Sequence, residues 1–145
     1  MDIDRNNYSY TFGEYESDVR SLRKTLSEIK NIHLVAVYRG SIPVVVHLSN
    51  VLNCEMSIIR LHESDGNVSQ IEFVSNNIKE NHHLVVMEDI YDTGRTIKSI
   101  QSMMEVEYKD HTISYYSLFG KENDVGVVYL REKNKKWVSF LWERI

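Results

Sequence analysis

Proline and cysteine are almost missing from this chain of 145 residues, which has one of each, Pro43 and Cys54. A lone cysteine has no partner within the chain, so a disulfide framework is excluded and a reducing, cytoplasmic setting is expected. No apolar run approaches the roughly 20 residues that a membrane-spanning helix needs. The opening stretch DIDRNNYSY lacks the basic start and apolar centre of a signal peptide, so neither export nor membrane insertion is expected. An excess of positive charge is lacking too. The 17 Lys and Arg against 21 Asp and Glu give a net charge of −4, which argues against broad electrostatic binding to nucleic acid. The one basic run, REKNKK at 131–136, reads as a solvated turn. Linkers, internal repeats and low-complexity tracts are also absent. What is there, 42% hydrophobic and 26% charged residues, sits near globular averages, so one domain over 1–145 is expected.

Periodicity gives the element order. Tyr8, Tyr10 and Phe12 alternate with polar residues as in a half-buried strand, and Ser17 is a candidate N-cap ahead of Val19, Leu22, Leu26 and Ile29 at helical spacing. HLVAVY (33–38) reads as a strand, closed by RGS and followed by a helical pattern through Val44, Leu48, Val51 and Leu52. MSIIRL (56–61) and HLVVMEDI (83–90) read as further strands, the second leading into a helix with Ile97, Ile100 and Met104 on one face. TISYYSLF (112–119) and VGVVYL (125–130) supply late strands. Strands alternating with crossover helices predict an α/β fold around a mostly parallel sheet, with ligands at the carboxyl ends of the strands.

One strand end carries unusual chemistry. LVVMEDIYDTGRT (84–96) runs from four apolar residues into two acids, an aspartate, and small residues with two hydroxyls. Glu88 and Asp89, emerging at the carboxyl end of a buried strand, can accept hydrogen bonds from a ribose diol or hold a hard cation such as magnesium. Thr93 and Thr96 flank Gly94 where the next helix begins, so hydroxyls and backbone N–H groups converge where the helix dipole favours a phosphate. Helix capping by Asp92 and Thr93 accounts for the turn equally well but leaves the paired acids unexplained.

Together these thirteen residues resemble the signature of the type I phosphoribosyltransferases: a hydrophobic strand, two acids, two variable residues, then an aspartate and a T-G-x-T loop. The resemblance implies that Glu88 and Asp89 bind the ribose hydroxyls of 5-phosphoribosyl diphosphate, and that Asp92, Thr93, Gly94, Arg95 and Thr96 bind its 5-phosphate. It also implies magnesium, with Asp89 as the candidate ligand. VAVYRGS (35–41) resembles the family's diphosphate loop. Arg39 would neutralise charge on the departing diphosphate, Gly40 and Ser41 would allow close backbone approach and add donors, and a non-proline cis peptide is expected at Tyr38-Arg39.

The chain's end, KKWVSFLWERI, is similar to the hood of bacterial xanthine-guanine phosphoribosyltransferases, a C-terminal segment that covers the base. Here the hood would comprise about 121–145 with the N-terminal strand. The resemblance assigns purine stacking to Trp137, edge recognition to the Val138 carbonyl, the second tryptophan and acid to Trp142 and Glu143, and donation to a purine 6-oxo group to Lys121. A lysine there selects 6-oxopurines over adenine, whose 6-amino group would face another donor. Two departures stand out: the diphosphate loop reads RGSIP, one residue shorter before its proline and without a second glycine, and the first acid is Glu88 where aspartate is commoner. A mobile closing loop is expected within 62–82.

The implied activity is magnesium-dependent transfer of phosphoribosyl from 5-phosphoribosyl diphosphate to guanine, xanthine or hypoxanthine, releasing diphosphate. Asp92 is the candidate general base and Arg39 assists the leaving group. A homo-oligomer, dimer or tetramer, goes with the resemblance, and Tyr91, Tyr115 and Tyr116 are candidates for either exposed contacts or buried packing. Two other readings fit the same residues: a regulatory protein that keeps the donor site without catalysis, and a phosphoribosyltransferase for another base.

Overall fold

The computed structural model describes residues 7–65, 67–134 and 136–143. In chain order the elements are β1 (Asn7–Ser9), α1 (Phe12–Leu26), β2 (Ile32–Val37), α2 (Ile42–Leu52), β3 (Met56–Ser64), β4 (Asn67–Ser75), β5 (His83–Ile90), α3 (Arg95–Glu107), β6 (Ile113–Gly120), β7 (Val127–Glu132) and β8 (Trp137–Ser139), followed by a 3-10 turn at Leu141–Glu143. The main sheet has the order β4-β3-β2-β5-β6-β7, and every pairing is parallel except the antiparallel β3–β4 hairpin. A separate parallel pair joins β1 to β8, with Tyr8 opposite Val138.

Near-continuous apolar strands put a core on both faces of the sheet. On β2 and β5, Leu34, Ala36, Val85 and Met87 pack with α1 and α2, while Val35, Val37, Leu84 and Val86 pack with α3. The chain leaves β2 by α2 toward β3 and leaves β5 by α3 toward β6, on the opposite face. The order therefore reverses between β2 and β5, and a crevice opens outside their carboxyl ends.

The N-terminal expectation is corrected. Helix α1 begins at Phe12, not beyond Ser17, because Thr11 caps it: its hydroxyl accepts from the Glu14 N–H, while Glu14 reaches back to the Thr11 N–H. T-x-x-E at Thr11–Glu14 is a capping box, which a single helical turn satisfies better than the weak strand alternation continuing to Phe12. Ser17 lies in the helix interior. Residues 62–82, expected to carry a mobile loop, are largely ladder: β3 runs to Ser64 and β4 returns from Asn67, with Asp65 at φ 52° in the turn. The expected single domain with a hood stands as a proposal, supported by the β1–β8 pair that ties the two chain ends together.

The basic run is corrected at its start: Asn134 and Lys136 are exposed beyond β7, but Arg131 lies on β7 and donates to both Asp18 carboxylate oxygens at 2.7 and 3.1 Å and to Glu14 at 3.2 Å. Tyr10 donates to Asp18 and Tyr8 to Glu14. This network fastens β1, α1 and the sheet edge together. Lys135, Arg144 and Ile145 lie outside the described residues.

Candidate active site

Period-2 geometry explains the paired acids. Val85 and Met87 point to one face of β5, Leu84 and Val86 to the other, so Glu88 and Asp89 must diverge. Asp89 lines a cavity of about 690 Å³ with Arg39, Gly40, Trp137, Val138 and Glu143. Glu88 lines a smaller recess of about 100 Å³ with Asp92, Thr93, Gly94 and Thr96. Ile90 borders both and forms the wall between them.

Both acids are largely buried. Burial pushes the Glu88 carboxyl up to about 8, with the Asp89 charge adding to the effect, and its Oε1 has no hydrogen-bond partner. Burial raises Asp89 too, partly offset by the Ile90 N–H that donates to its Oδ1 at 2.8 Å. A buried carboxyl with one oxygen left without a partner is costly to keep, which marks Glu88 as a candidate to meet a ligand.

The loop between β2 and α2 lies directly on Asp89. A Cβ at Gly40 would sit 2.2 Å from Asp89 Oδ2, so only glycine allows this approach. The Tyr38-Arg39 peptide is cis. Ser41 does not turn its hydroxyl to the crevice: it accepts from the Val37 N–H at 2.8 Å and donates to the Val37 carbonyl at 3.2 Å, closing the loop onto β2. Pro43 occupies the first turn of α2, where its missing N–H costs nothing.

At the other loop, Gly94 has φ 80° and is the N-cap of α3, with no capping side chain. A Cβ there would meet the Tyr91 hydroxyl at 2.6 Å. Thr93 Oγ1 accepts from the Arg95 N–H at 3.3 Å. Helix capping by Asp92 is thus not what its carboxylate does. Asp92 instead pairs with Lys121, at 3.6 Å, and with Lys133, at 3.5 Å.

The hood residues divide. Trp137 is 66% exposed at the cavity mouth, and Val138 is buried beneath it. Trp142 stacks on Phe140 with ring centroids 4.7 Å apart and meets Tyr15 edge-on, so its indole is a packed wall of the cavity. Lys121, Ser41 and Arg95 line neither space, although Lys121 pairs with Asp92 of the recess. The residue missed in the sequence is Lys133, concealed in the basic run. Tyr91 and Tyr115 are buried and Tyr116 half-buried, which makes all three packing residues before anything else.

A second convergence lies at the opposite end of the sheet, where ligand atoms of His33, Glu55 and His82 fall within 4.8 Å of one another. The two imidazoles are stacked, His82 Nδ1 accepts from the Lys79 N–H, and His33 Nδ1 has no hydrogen-bond partner. It has no part in the crevice.

A parallel sheet with its crevice at the switch point is the arrangement of doubly wound α/β binding proteins. Residues 14–142 match the phosphoribosyl transferase domain, and the chain belongs to that family. A hypoxanthine-guanine phosphoribosyltransferase of Streptococcus pyogenes is 30% identical over 100 residues, covering 63% of this chain and 54% of that protein. The Lactococcus lactis protein of the same name is 30% identical over 105 residues, 62% of this chain and 57% of its own. The chain thus spans about half the length of these curated relatives. Among solved structures, the fold is similar to a purine phosphoribosyltransferase from Pyrococcus horikoshii, with TM-score 0.77, 20% identity, and coverage of 97% of this chain and 95% of that one. It is also similar to the Helicobacter pylori xanthine-guanine-hypoxanthine phosphoribosyltransferase, with TM-score 0.79, 22% identity and 94% of each chain covered.

Proposed function

We propose that this protein transfers phosphoribosyl from 5-phosphoribosyl diphosphate to a 6-oxopurine, releasing diphosphate. The observation that carries this is the convergence of Arg39 and Gly40 from one strand end, Asp89 from the next and Trp137 from the hood on one cavity, beside a recess at the uncapped N-terminus of α3.

In this reading the recess takes the 5-phosphate on Thr93, Gly94 and Thr96 with the first N–H groups of α3. Glu88 and Asp89 flank the ribose from the two faces of β5, and the neutral Glu88 carboxyl can donate to, as well as accept from, a hydroxyl. Trp137 stacks on the base, the Val138 carbonyl and Glu143 meet its edge, and Lys121 leaves Asp92 to donate to the 6-oxo oxygen. As the C1–O bond breaks, its electron pair departs with diphosphate beside Arg39, and a purine nitrogen supplies the pair for the new bond to C1. Asp92 receives the proton of that nitrogen.

Asp89, a carboxylate on the wall of the larger cavity beside Arg39 and Gly40, offers oxygen ligands suited to a hard cation and is the residue that would hold magnesium. When bound, that ion neutralises diphosphate charge. Turnover should therefore disappear in chelator and return with added magnesium. A dimer or tetramer and a cytoplasmic setting complete the proposal; sedimentation velocity tests the first.

The decisive experiment offers purified protein 5-phosphoribosyl diphosphate and magnesium with guanine, xanthine, hypoxanthine, adenine, orotate or uracil, and follows nucleotide and diphosphate together. Turnover of 6-oxopurines alone is expected. Donor binding without any turnover would instead identify a regulatory protein.

A further inference from the structure

Two lysines from adjacent strand ends converge on one carboxylate, and their surroundings differ. Lys121 follows β6 and Lys133 follows β7; Gly120 and Glu132 are paired, and the Lys133 N–H donates to the Gly120 carbonyl at 2.6 Å. Lys121 Nζ lies 3.6 Å from Asp92 Oδ1 and Lys133 Nζ lies 3.5 Å from Oδ2, so each lysine faces a different oxygen. The Lys121 side chain is 49% exposed, the Lys133 side chain only 16%. Lys133 Nζ also donates to the Asn134 carbonyl at 3.4 Å. One lysine is therefore seated at both its backbone and its ammonium, while the other extends half into solvent from a flexible four-carbon stem.

We propose that Lys133 is a positioning residue that holds Asp92 by Oδ2 throughout the reaction, leaving Oδ1 as the oxygen that receives the purine proton. With Asp92 taken as the proton acceptor of the transfer proposed above, the two lysines have separate tasks. Lys121 moves from Oδ1 to the purine 6-oxo oxygen, which uncovers Oδ1 for the attacking nitrogen's proton. Lys133 keeps the carboxylate from following it. Asp92 needs such a hold because its side chain is 56% exposed and no other side chain pairs with it among the described residues. The N–H proton passes to Oδ1 while the nitrogen electron pair forms the bond to C1. The C1–O pair leaves with diphosphate, and the proton later passes to solvent, so no further reactant is required.

Steady-state kinetics of Lys133→Met with hypoxanthine and guanine test this. Loss of the hold should lower kcat by about tenfold or more, since small displacements of a reacting group carry large rate penalties, while purine KM changes by less than about threefold, the mark of an interaction that matters after binding. Lys133→Arg should restore most of kcat, and Lys121→Met should instead raise purine KM. In an Asp92→Asn background, Lys133→Met should cost nothing further; a purely structural role would lower kcat by the same factor in both backgrounds. Lys133→Gln, uncharged but polar at its tip, serves if the methionine variant does not fold. An unchanged kcat, or equal losses in both backgrounds, overturns the positioning role alone. No turnover by the unaltered chain overturns the transfer reaction and this assignment with it.

Discussion

Trp137 leaves 66% of its surface in solvent, which the fold does not require of an indole. Its replacement by alanine should change unfolding free energy by no more than about 0.5 kcal/mol. Purine affinity should fall about tenfold, the scale of one lost aromatic stack, in a titration followed by calorimetry. Unchanged affinity would remove Trp137 from the base site. Asp92 is tested by Asp92→Asn, expected to cut turnover by about a hundredfold or more, as loss of a general base does; full turnover refutes that role. Gly40→Ala places a methyl against Asp89 Oδ2, so donor affinity should drop while the fold persists, because the nearest atoms belong to a side chain.

Among the elements, Arg131 is the clamp that joins β7 to α1. Asp18 is only 7% exposed, so Arg131→Met leaves a buried carboxylate with Tyr10 as its remaining named partner. Removing one member of such a pair should destabilise the protein by about 3 kcal/mol, read as a lower urea midpoint at unchanged slope. A loss below about 0.5 kcal/mol would show the network to be ornamental. The β3–β4 hairpin was legible and overlooked: Asp65-Gly66 between LHES and NVSQIEF is the dipeptide that two-residue hairpins favour, and Asp65 takes the positive φ such turns require. Similarly, Thr11–Glu14 announces a helix start that aromatic alternation obscured.

For the whole molecule, two buried groups give opposing pH dependences. Glu88 has its proton held to about 8 in the fold against about 4.5 unfolded; its contribution is complete below 4.5 and lost as pH rises to 8. His33, fully buried and held down to about 4 by burial and by His82, does the reverse: its contribution is complete above 6.5 and lost as pH falls to 4. Each slope is at most about 1.4 kcal/mol per pH unit. Between 4.5 and 6.5 these two largely cancel, and from 6.5 to 8 the Glu88 slope stands alone. Stability should therefore decline from pH 6.5 to 8, flatten in Glu88→Gln, and rise more toward acid in His33→Gln than in the unaltered protein, with His83, also held down by burial, still opposing part of the Glu88 slope; melting temperatures across pH 4.5–8.5 check all three. An unaltered slope in Glu88→Gln would place its titration elsewhere. Bound donor should reduce the alkaline decline, because a ligand that partners Glu88 removes part of its cost.

The sequence by itself determined whatever depends on neighbours along the chain. Periods of 3.6 and 2 set the order of helices and strands, and thirteen consecutive residues, Leu84–Thr96, carried the acids and the loop because a strand end and the helix after it are contiguous. Tertiary structure decided what depends on residues brought together from afar. Arg131 meets Asp18 across 113 positions, and the first residue of the basic run that suggested a solvated turn is therefore a clamp. Lys133 reaches Asp92 only because β6 and β7 run side by side and parallel. Ser41, a donor by its chemistry, turned inward since Val37, four residues back, offered both an N–H and a carbonyl. Glu88 and Asp89, adjacent in sequence, line different cavities because helices cover both faces of β5. A charged side chain's role is set by the field at its tip, and that field is made by residues no local pattern contains.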